Sequence, residues 1–213
     1  MNPELAKYVK IFLLIIYTVG IAGTFISPAL IAPYTPVNLL LTALALLVFG
    51  DIQNKRFWLF ALFVFLFGIL IEIAGVSTGM IFGTYHYGQV LGPQVFQVPL
   101  SIGLNWVFLT FATLSIANHF NKNALISSLL GAGLMVGLDL LIEPLASDLD
   151  YWYWANGVIP LQNFIAWYII ALFFHLIGRR LHFAKENPMA VLIFGLQILF
   201  FISIHLSKYI KHA

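Results

Sequence analysis

The sequence predicts an all-α, polytopic membrane protein with about seven transmembrane helices, and three observations support this fold class. Of the 213 residues, 62% are apolar and only 8% are charged, and the mean hydropathy is +0.98. Apolar runs of about 15 or more residues recur along the chain. Lysine and arginine are concentrated in every second connection between these runs. A water-soluble fold is therefore excluded.

Seven apolar segments predict the seven spans, with boundaries good to a few residues. They cover about 8–27, 37–50, 57–75, 98–118, 124–143, 159–177 and 189–207. Lys7 and Lys10 before the first segment would also suit a secretory signal peptide, but we interpret it as an uncleaved span. The second segment is short, so six spans with one re-entrant segment is the alternative. No repeat or long linker divides the chain, and residues 1–213 are expected to form one domain.

The basic residues predict how the chain is oriented in the membrane. They precede span one and fill the second, fourth and sixth connections: Lys7, Lys10, Lys55, Arg56, Lys122, Arg179, Arg180 and Lys185. Because cytoplasmic loops are enriched in lysine and arginine, the N terminus should be cytoplasmic and the C terminus external. Lys208 and Lys211 do not fit this scheme. Six spans would accommodate them but would disrupt the alternation elsewhere.

A Gly- and Tyr-rich segment follows the third span, which carries an acid near its end. Glu72 opens the segment, which continues to Pro93 and includes Tyr85 and Tyr87. An unpaired carboxylate within hydrocarbon costs roughly 2.5 kcal/mol or more, so acids are rare in spans and usually functional. Glu72 is therefore a candidate functional residue.

Other polar residues fall at the same membrane depth, at the predicted outer ends of the spans. This set consists of Glu72, Ser101, Asn105, Asp139, Glu143, Gln162 and Asn163. The loops 76–97 and 144–158 lack lysine and arginine and carry His86 and an aromatic set, Tyr85, Tyr87, Tyr151, Trp152, Tyr153 and Trp154. The pattern predicts a polar pocket at the outer end. An interfacial aromatic belt is the alternative interpretation of the loop aromatics.

Asp139 and Glu143 are four residues apart, so their side chains should stack on one helix face, and Pro144 should end that helix. Two carboxylates this close in a low-dielectric pocket repel each other, and one is expected to hold its proton at neutral pH. A buried carboxylic acid can protonate a weakly basic substrate. The alternative is that both acids are hydrated at the interface, as we expect for Asp148 and Asp150 in the following loop.

Several function classes are excluded by missing residues. The chain has no cysteine, so it has no thiolate nucleophile and no Cys-ligated metal. The six histidines, His86, His119, His175, His182, His205 and His212, form no closely spaced pair of the kind that di-iron enzymes need. Only His86, between two tyrosines, is retained as a candidate. Aspartate-rich Mg²⁺ motifs and nucleotide-binding Gly loops are also absent, and the scattered basic residues argue against nucleic acid. We therefore expect no Cys-ligated or multi-histidine metal site.

A series of motifs between about residues 70 and 168 carries a family resemblance. They are Glu72-x-x-Gly75-Val-x-Thr78-Gly79-x-x-Phe82-Gly83-x-Tyr85-x-Tyr87, Leu91-Gly92-Pro93, Val98-Pro99 leading to Trp106, Gly137-x-Asp139-x-x-x-Glu143-Pro144, Tyr151-Trp152-x-Trp154, and Pro160-x-x-Asn163-x-x-Trp167. Together they resemble the integral-membrane carotenoid 1,2-hydratase family, which includes γ-carotene 1′-hydratases and bisanhydrobacterioruberin hydratases.

The resemblance implies addition of water to the terminal C1=C2 double bond of a ψ end group, as in lycopene or γ-carotene, without a cofactor. It implies a carotenoid substrate, contact with membrane lipid, other carotenoid-pathway enzymes as candidate partners, and a bacterial or archaeal cytoplasmic membrane. We expect Asp139 to be the general acid, with Glu143 or Glu72 controlling its protonation and the water. Asn105 and Asn163 should position groups by hydrogen bonds, and the expected substrate-binding aromatics are Tyr85, Tyr87, Trp106, Trp152, Trp154 and Trp167.

Two other functions remain open from the sequence. A carotenoid end-group cyclase needs the same protonation but captures the cation with an internal double bond. A proton-coupled transporter could also use Glu72, Asp139 and Glu143, but it predicts inverted repeats and polar residues on both sides of the midplane.

Overall fold

Seven helical segments are long and apolar enough to cross a membrane, which confirms the predicted fold class. The structure is a computed structural model that describes residues 3–181 and 186–212; His182 and Lys185, named above, lie outside these residues. The segments are Pro3–Ile26, Pro28–Val48, Lys55–Thr78, Leu100–Phe120, Ala124–Leu145, Leu161–Arg180 and Ala190–Lys211. Within the described residues, seven spans therefore replace the six-span alternative.

Among the described residues, eight α-helices and four short strands form these segments and their connections. The helices are α1 (Pro3–Ile26), α2 (Pro28–Ile31), α3 (Thr35–Val48), α4 (Lys55–Thr78), α5 (Leu100–Phe120), α6 (Ala124–Ile142), α7 (Leu161–Arg180) and α8 (Ala190–His212). The strands are β1 (Tyr85–Tyr87), β2 (Gln94–Val95), β3 (Val98–Pro99) and β4 (Trp152–Trp154).

The second span is a broken helix, which explains why its apolar run is short in the sequence. It starts as the single turn α2, continues as a 3₁₀ turn over Ala32–Tyr34 and becomes regular only in α3. Pro28, Pro33 and Pro36 lie in this stretch. Because proline lacks an N–H and restricts the residue before it, a continuous α-helix cannot form here.

Local signals set the ends of the helices that carry the polar residues. Asn123 begins α6 by accepting hydrogen bonds from the N–H groups of Leu125 and Ile126 at 3.0 and 3.1 Å. Gly79 ends α4 in the left-handed conformation, with φ of 66°. The α6 helix tightens into a 3₁₀ turn at Glu143–Leu145, where Pro144 lies.

Helix α5 is the central helix of the bundle. Of its most apolar 18-residue stretch, 83% is buried inside the protein, compared with at most 50% of the corresponding stretch in any other described span. It packs against α3, α4, α6, α7 and α8, and the pairs α6–α7 and α1–α8 pack against each other around it. Polar side chains on α5 are therefore held within the protein and away from lipid.

A two-stranded antiparallel ribbon covers one end of the bundle, which we call the ribbon end. Strand β1 pairs with β4 in the register Tyr85↔Trp154, His86↔Tyr153 and Tyr87↔Trp152. Helices α4 and α6 finish at this end, and α5 and α7 begin there. The sequence indicated the Gly- and Tyr-rich segment but not this pairing. A second hairpin joins β2 and β3 through Phe96 and Gln97, both with positive φ.

Candidate active site

Glu72 lies in the last two turns of α4 and is 2% exposed. Its Oε2 accepts hydrogen bonds from the hydroxyls of Tyr85 at 2.6 Å and Tyr87 at 2.8 Å, and its Oε1 accepts one from Trp106 Nε1 at 3.1 Å. The chain can fold back over α4 because Gly75 has no side chain: a Cβ there would lie 2.5 Å from the ring of Phe82. The buried carboxyl is therefore fully hydrogen-bonded.

The ribbon determines which aromatic side chains face the acids. Successive side chains of a strand point to opposite faces, so Tyr85 and Tyr87 are buried while His86 between them is exposed. His86 instead stacks on Tyr153, with ring centroids 5.2 Å apart and an interplanar angle of 17°. The interpretation of His86 as a site residue is therefore wrong, because the strand turns its ring to the outer face of the ribbon.

The partner strand β4 binds the second glutamate. Glu143 is 5% exposed, and its Oε2 accepts hydrogen bonds from Trp152 Nε1 at 3.1 Å and Trp154 Nε1 at 2.7 Å. Trp152 and Trp154 are thus more than an interfacial aromatic belt. Both strands of the ribbon supply donors to a helix-borne carboxyl, β1 to α4 and β4 to the end of α6.

Asn163 joins Asp139 to Glu143, which confirms that the two acids share one side of α6. Its Nδ2 donates to Glu143 Oε1 at 2.7 Å and to Asp139 Oδ2 at 3.2 Å. Asp139 is 3% exposed and Asn163 is 2% exposed. The alternative in which these acids are hydrated at the interface is therefore contradicted by their burial.

Only uncharged groups donate to these three acids within the described part of the chain. The described ion pairs lie elsewhere, between Glu186 and His119 or Lys122 and between Lys208 and Asp148. Burial, followed by the nearby charge of Glu72, raises the pKa of Tyr85 and of Tyr87 above the usual value for tyrosine. Both phenols therefore remain protonated at neutral pH and donate their hydrogen bonds. Neutral donors stabilise a carboxylate by hydrogen bonds, but they do not balance its negative charge as a cation would.

Aromatic ring faces surround the acids. Trp106 is fully buried and stacks on Trp167 with ring centroids 4.1 Å apart at 17°. Tyr85 packs against Trp154 with ring centroids 5.0 Å apart. Aromatic faces attract cations, so the site combines acids with surfaces that favour a developing positive charge.

A small cavity of about 20 Å³ lies within the cluster. Its lining residues are Glu72, Phe82, Tyr85, Tyr87, Ile102, Asn105, Glu143, Trp152, Trp154, Asn163 and Trp167. Asp139 is not among them. A polar cavity above roughly 10–15 Å³ can hold one water molecule. This cavity therefore has room for a water but not for an end group of a terpenoid.

A much larger cavity of about 260 Å³, which we call the chamber, adjoins the small one. Ile102, Asn105 and Trp152 line both cavities. Most other chamber residues are apolar and come from α1, α3, α5, α6 and α8, among them Ile16, Leu39, Phe108, Leu138 and Phe201. The chamber is thus separated from the small cavity by one shared wall.

The predicted site residues converge at the ribbon end. They form two hydrogen-bonded groups side by side: Glu72 with Tyr85, Tyr87 and Trp106, and Glu143 and Asp139 with Trp152, Trp154 and Asn163. Trp167 and Asn105 line the small cavity beside them. The side chain of Asn105 has no hydrogen-bond partner among the described residues. Two members of the same-depth set act elsewhere: Ser101 donates to the Leu91 carbonyl, and Gln162 to the carbonyls of Met80 and Ile81.

Sequence reasoning missed the role of Asp150, which was expected to be hydrated. Its Oδ2 accepts hydrogen bonds from the N–H groups of Gln89 and Val90 at 3.0 and 3.1 Å, and its Oδ1 accepts one from the Tyr153 hydroxyl at 2.8 Å. That expectation is wrong because Asp150 joins the two loops that carry β1 and β4. The one signal in the sequence for this role is that Asp150 directly precedes the run Tyr151-Trp152-Tyr153-Trp154.

Comparison with known proteins adds one match. The sequence model of a family described as "carotenoid biosynthesis protein" matches residues 34–210, well over half of the chain. No curated protein and no solved structure matches the chain. The matched region extends beyond the motifs at about 70–168 and contains every residue of both hydrogen-bonded groups.

Proposed function

The chain belongs to the carotenoid biosynthesis protein family, and from this premise we propose that it is a hydratase. In this proposal it adds water to the terminal C1=C2 double bond of a ψ end group, as found in lycopene or γ-carotene. The product is a tertiary alcohol, and the reaction needs no change of oxidation state. The substrate is a carotenoid dissolved in the membrane.

One observation carries the proposal: two buried acids, Glu72 and Glu143, line a water-sized cavity beside an apolar chamber, and a third, Asp139, is joined to Glu143 by Asn163. Hydration of an alkene needs a proton donor, a water and an apolar place for the hydrocarbon. The site offers each of these within one end of the bundle.

The proton donor is Asp139, because it is the acid with the least compensation as an anion. Glu72 and Glu143 each accept three hydrogen bonds, whereas Asp139 accepts one, from Asn163. Hydrogen bonds to a carboxylate favour its charged form. Asp139 also follows Leu138, which lines the chamber. The proton passes from its carboxyl to C2 of the alkene, and the cation forms at C1.

The water attacks C1 from the small cavity. Asn105, which has a free amide and lines both cavities, orients it. A glutamate that lines the small cavity, Glu143 or Glu72, takes the proton that the water loses. When Glu143 takes the proton, its return to Asp139, with which it shares the Asn163 amide, restores the starting state and balances the reaction. When Glu72 takes it, the proton passes to Glu143 through the water in the cavity that both line, and then to Asp139.

Aromatic faces stabilise the cation without capturing it. Trp152 lies on the wall between chamber and small cavity, with Trp154, Tyr85 and Tyr87 behind it. Cation–π contacts of this kind contribute about 0.5–2 kcal/mol each. A barrier lowered by this amount still leaves the cation free to react with water.

We further propose that the protein lies in the cytoplasmic membrane of a bacterium or archaeon, with a cytoplasmic N terminus and the ribbon end on the outer side. The alternation of basic residues supports this orientation. The substrate would then enter from the bilayer with one end group near the outer leaflet.

A carotenoid end-group cyclase is the second candidate, since it shares the protonation step. The water-sized cavity beside the acids favours the hydratase. A proton-coupled transporter is less well supported, because the buried acids gather at one end of the bundle.

Product analysis tests the proposal. The gene is expressed in a bacterium that accumulates lycopene, cells are grown in water enriched in heavy oxygen, and pigments are analysed by mass spectrometry. We expect a product heavier by one water per modified end, with the label in the added oxygen. A product of unchanged mass would indicate a cyclase, and unchanged lycopene in cells that contain the protein would contradict both reactions on this substrate.

A further inference from the structure

A second polar cluster lines the chamber, away from the acids. The hydroxyl oxygen of Tyr17 on α1 accepts hydrogen bonds from Gln197 Nε2 at 2.8 Å and Asn38 Nδ2 at 3.2 Å, and it lies 3.3 Å from Thr42 Oγ1. Tyr17, Asn38 and Gln197 all line the chamber. They come from three different spans, α1, α3 and α8.

Two acceptor atoms of this cluster are left without partners. The side-chain nitrogens of Asn38 and Gln197 are used on Tyr17, but neither side-chain oxygen accepts a hydrogen bond from any residue that the structure describes. Gln197 is 4% exposed and Tyr17 is 2% exposed. Asn38 and Gln197 both line the chamber, so their amide oxygens can accept a hydrogen bond from a group inside it, and an amide acceptor left unpaired in apolar surroundings is costly. A donor from outside the protein is therefore expected in the chamber.

The cluster lies deeper in the bundle than the acids. Lys208 of α8 pairs with Asp148, and Lys211 donates to the Ile26 carbonyl, so α1 and α8 finish at the ribbon end. Tyr17 precedes the end of α1 at Ile26 by nine residues, whereas Asp139 precedes the end of α6 at Ile142 by three. At 1.5 Å per residue the cluster is roughly 9 Å further from the ribbon end. The acids thus lie behind the chamber wall at the ribbon end, and the amide acceptors of Asn38 and Gln197 lie further from that end.

The chamber also reaches the surface that faces lipid. Tyr34 and Val37 line it and are 67% and 56% exposed. They belong to the broken second span, where the proline-rich stretch replaces a continuous helix. An apolar chain can therefore enter sideways from the bilayer without crossing the ribbon.

We propose that the chamber binds the isoprenoid chain next to the reacting end group, and that Asn38 and Gln197 accept a hydrogen bond from a hydroxyl group on that chain. The inference rests on the proposed function for the identity of the chain. It assigns a chemical class to the ligand, a hydroxylated acyclic terpenoid in preference to the hydrocarbon. The other source of a hydroxyl donor at this position is water.

A matched pair of ten-carbon probes tests this inference without requiring catalysis. Linalool carries a tertiary hydroxyl, and 3,7-dimethylocta-1,6-diene is the same skeleton without it. Binding to the purified full-length protein in detergent is followed by tryptophan fluorescence, since Trp152 lines the chamber. For each probe, the Kd of the Gln197→Met variant is divided by the Kd of the unmodified protein. This cancels the partition of the probe into micelles.

We expect Gln197→Met to weaken linalool binding roughly three- to tenfold, the effect of one lost hydrogen bond, and to leave the hydrocarbon unchanged. Asn38→Leu should act in the same way and replaces Gln197→Met if that variant does not fold. Thr24→Val is the matched control, because it removes a buried bond between the same helices, from Thr24 to Ser203 at 3.1 Å, away from the chamber wall. It should change neither Kd.

Equal effects of Gln197→Met on both probes would overturn the inference, and so would no effect on either, the result expected if water alone pairs with the amide. A Thr24→Val variant that lost the preference for the alcohol would also overturn it. None of these outcomes changes the result that the hydratase proposal predicts for the heavy-oxygen test. Conversely, an unmodified pigment in that test would refute the hydratase without changing the ratio of probe affinities.

Discussion

At the scale of single residues, the site differs from a structural ion pair in having acids without cations. Glu72, Asp139 and Glu143 are each at least 95% buried, and their described partners are tyrosine, tryptophan and asparagine. A buried acid that serves only stability would be better compensated by lysine or arginine. Glu72 and Glu143 each accept three of these hydrogen bonds, whereas Asp139 accepts one. Hydrogen bonds therefore stabilise the carboxylate form least at Asp139.

Asp139→Asn should abolish hydration while the protein still folds. The amide has nearly the same size, but it has no acidic proton to donate, and loss of a general acid typically costs about 10²–10⁴-fold in rate. The measurement is the hydrated pigment formed in the lycopene-producing host, together with the thermal unfolding of the purified variant.

Asp148→Asn is the matched control for this substitution. Asp148 lies at the same end of the bundle, but it is exposed and pairs with Lys208. It should retain full activity. Hydrated product from Asp139→Asn, combined with loss of product from Glu143→Gln, would assign the proton donor to Glu143 instead.

The sequence identifies these three acids as candidate site residues because each is an ionisable residue in an otherwise apolar span. A carboxyl in an apolar span is costly, and a spacing of four residues fixes two of them on one side of a helix. Asp150 could not be interpreted in this way, since an aspartate in a loop is ordinary. Its function depends on the N–H groups of Gln89 and Val90, about sixty residues earlier in the chain.

At the scale of secondary structure, the end of α4 controls how the ribbon sits on the acids. Gly79 reverses the chain, and Gly75 leaves space for Phe82, so Tyr85 and Tyr87 reach back to Glu72. The sequence predicts helix α4, and it shows Gly75 and Gly79 directly. It does not predict the strand pairing, because residues 85–87 meet residues 152–154 only after the two intervening spans, α5 and α6, have folded.

Gly75→Ala should displace the ribbon and reduce hydration activity. The new Cβ would lie 2.5 Å from Phe82 and 3.4 Å from the Tyr85 hydroxyl. Overpacking of this kind typically costs about 1–3 kcal/mol in the free energy of unfolding. Thermal unfolding and product yield provide the two measurements.

Gly133→Ala is the control, because a Cβ on this α6 glycine meets nothing within 4 Å. Alanine favours helix over glycine, so Gly133→Ala should be neutral or slightly stabilising. If Gly75→Ala were equally neutral in stability and activity, the close packing of Phe82 against α4 would not be needed to position the tyrosines.

At the scale of the whole molecule, the seven spans follow from the apolar runs, whereas the chamber does not. Its walls come from five helices distant in the sequence, and its volume depends on how these helices pack. The broken second span was also underestimated, because prolines interrupt the apolar run that would mark it. Hydropathy predicts which segments enter the membrane but contains little information on the space between them.

The orientation gives a prediction that exploits the lack of cysteine in this chain. His86→Cys at the ribbon end and Lys122→Cys at the opposite end each introduce a single thiol at an exposed position. In intact cells, a maleimide that cannot cross membranes should label His86→Cys only. Both variants should be labelled after the cells are opened, and labelling of Lys122→Cys alone in intact cells would reverse the orientation.

The ribbon makes two acid-bearing helices, α4 and α6, depend on a single pairing register. Tyr85 and Tyr87 of one strand hold Glu72, and Trp152 and Trp154 of the other hold Glu143. Because a slip by one residue reverses the face of every side chain in a strand, loss of this register would take two of the three donors from each glutamate and leave Trp106 on Glu72 and Asn163 on Glu143. The ribbon therefore couples the two glutamates: loosening it would remove hydrogen-bond donors from both at once, without moving a transmembrane helix.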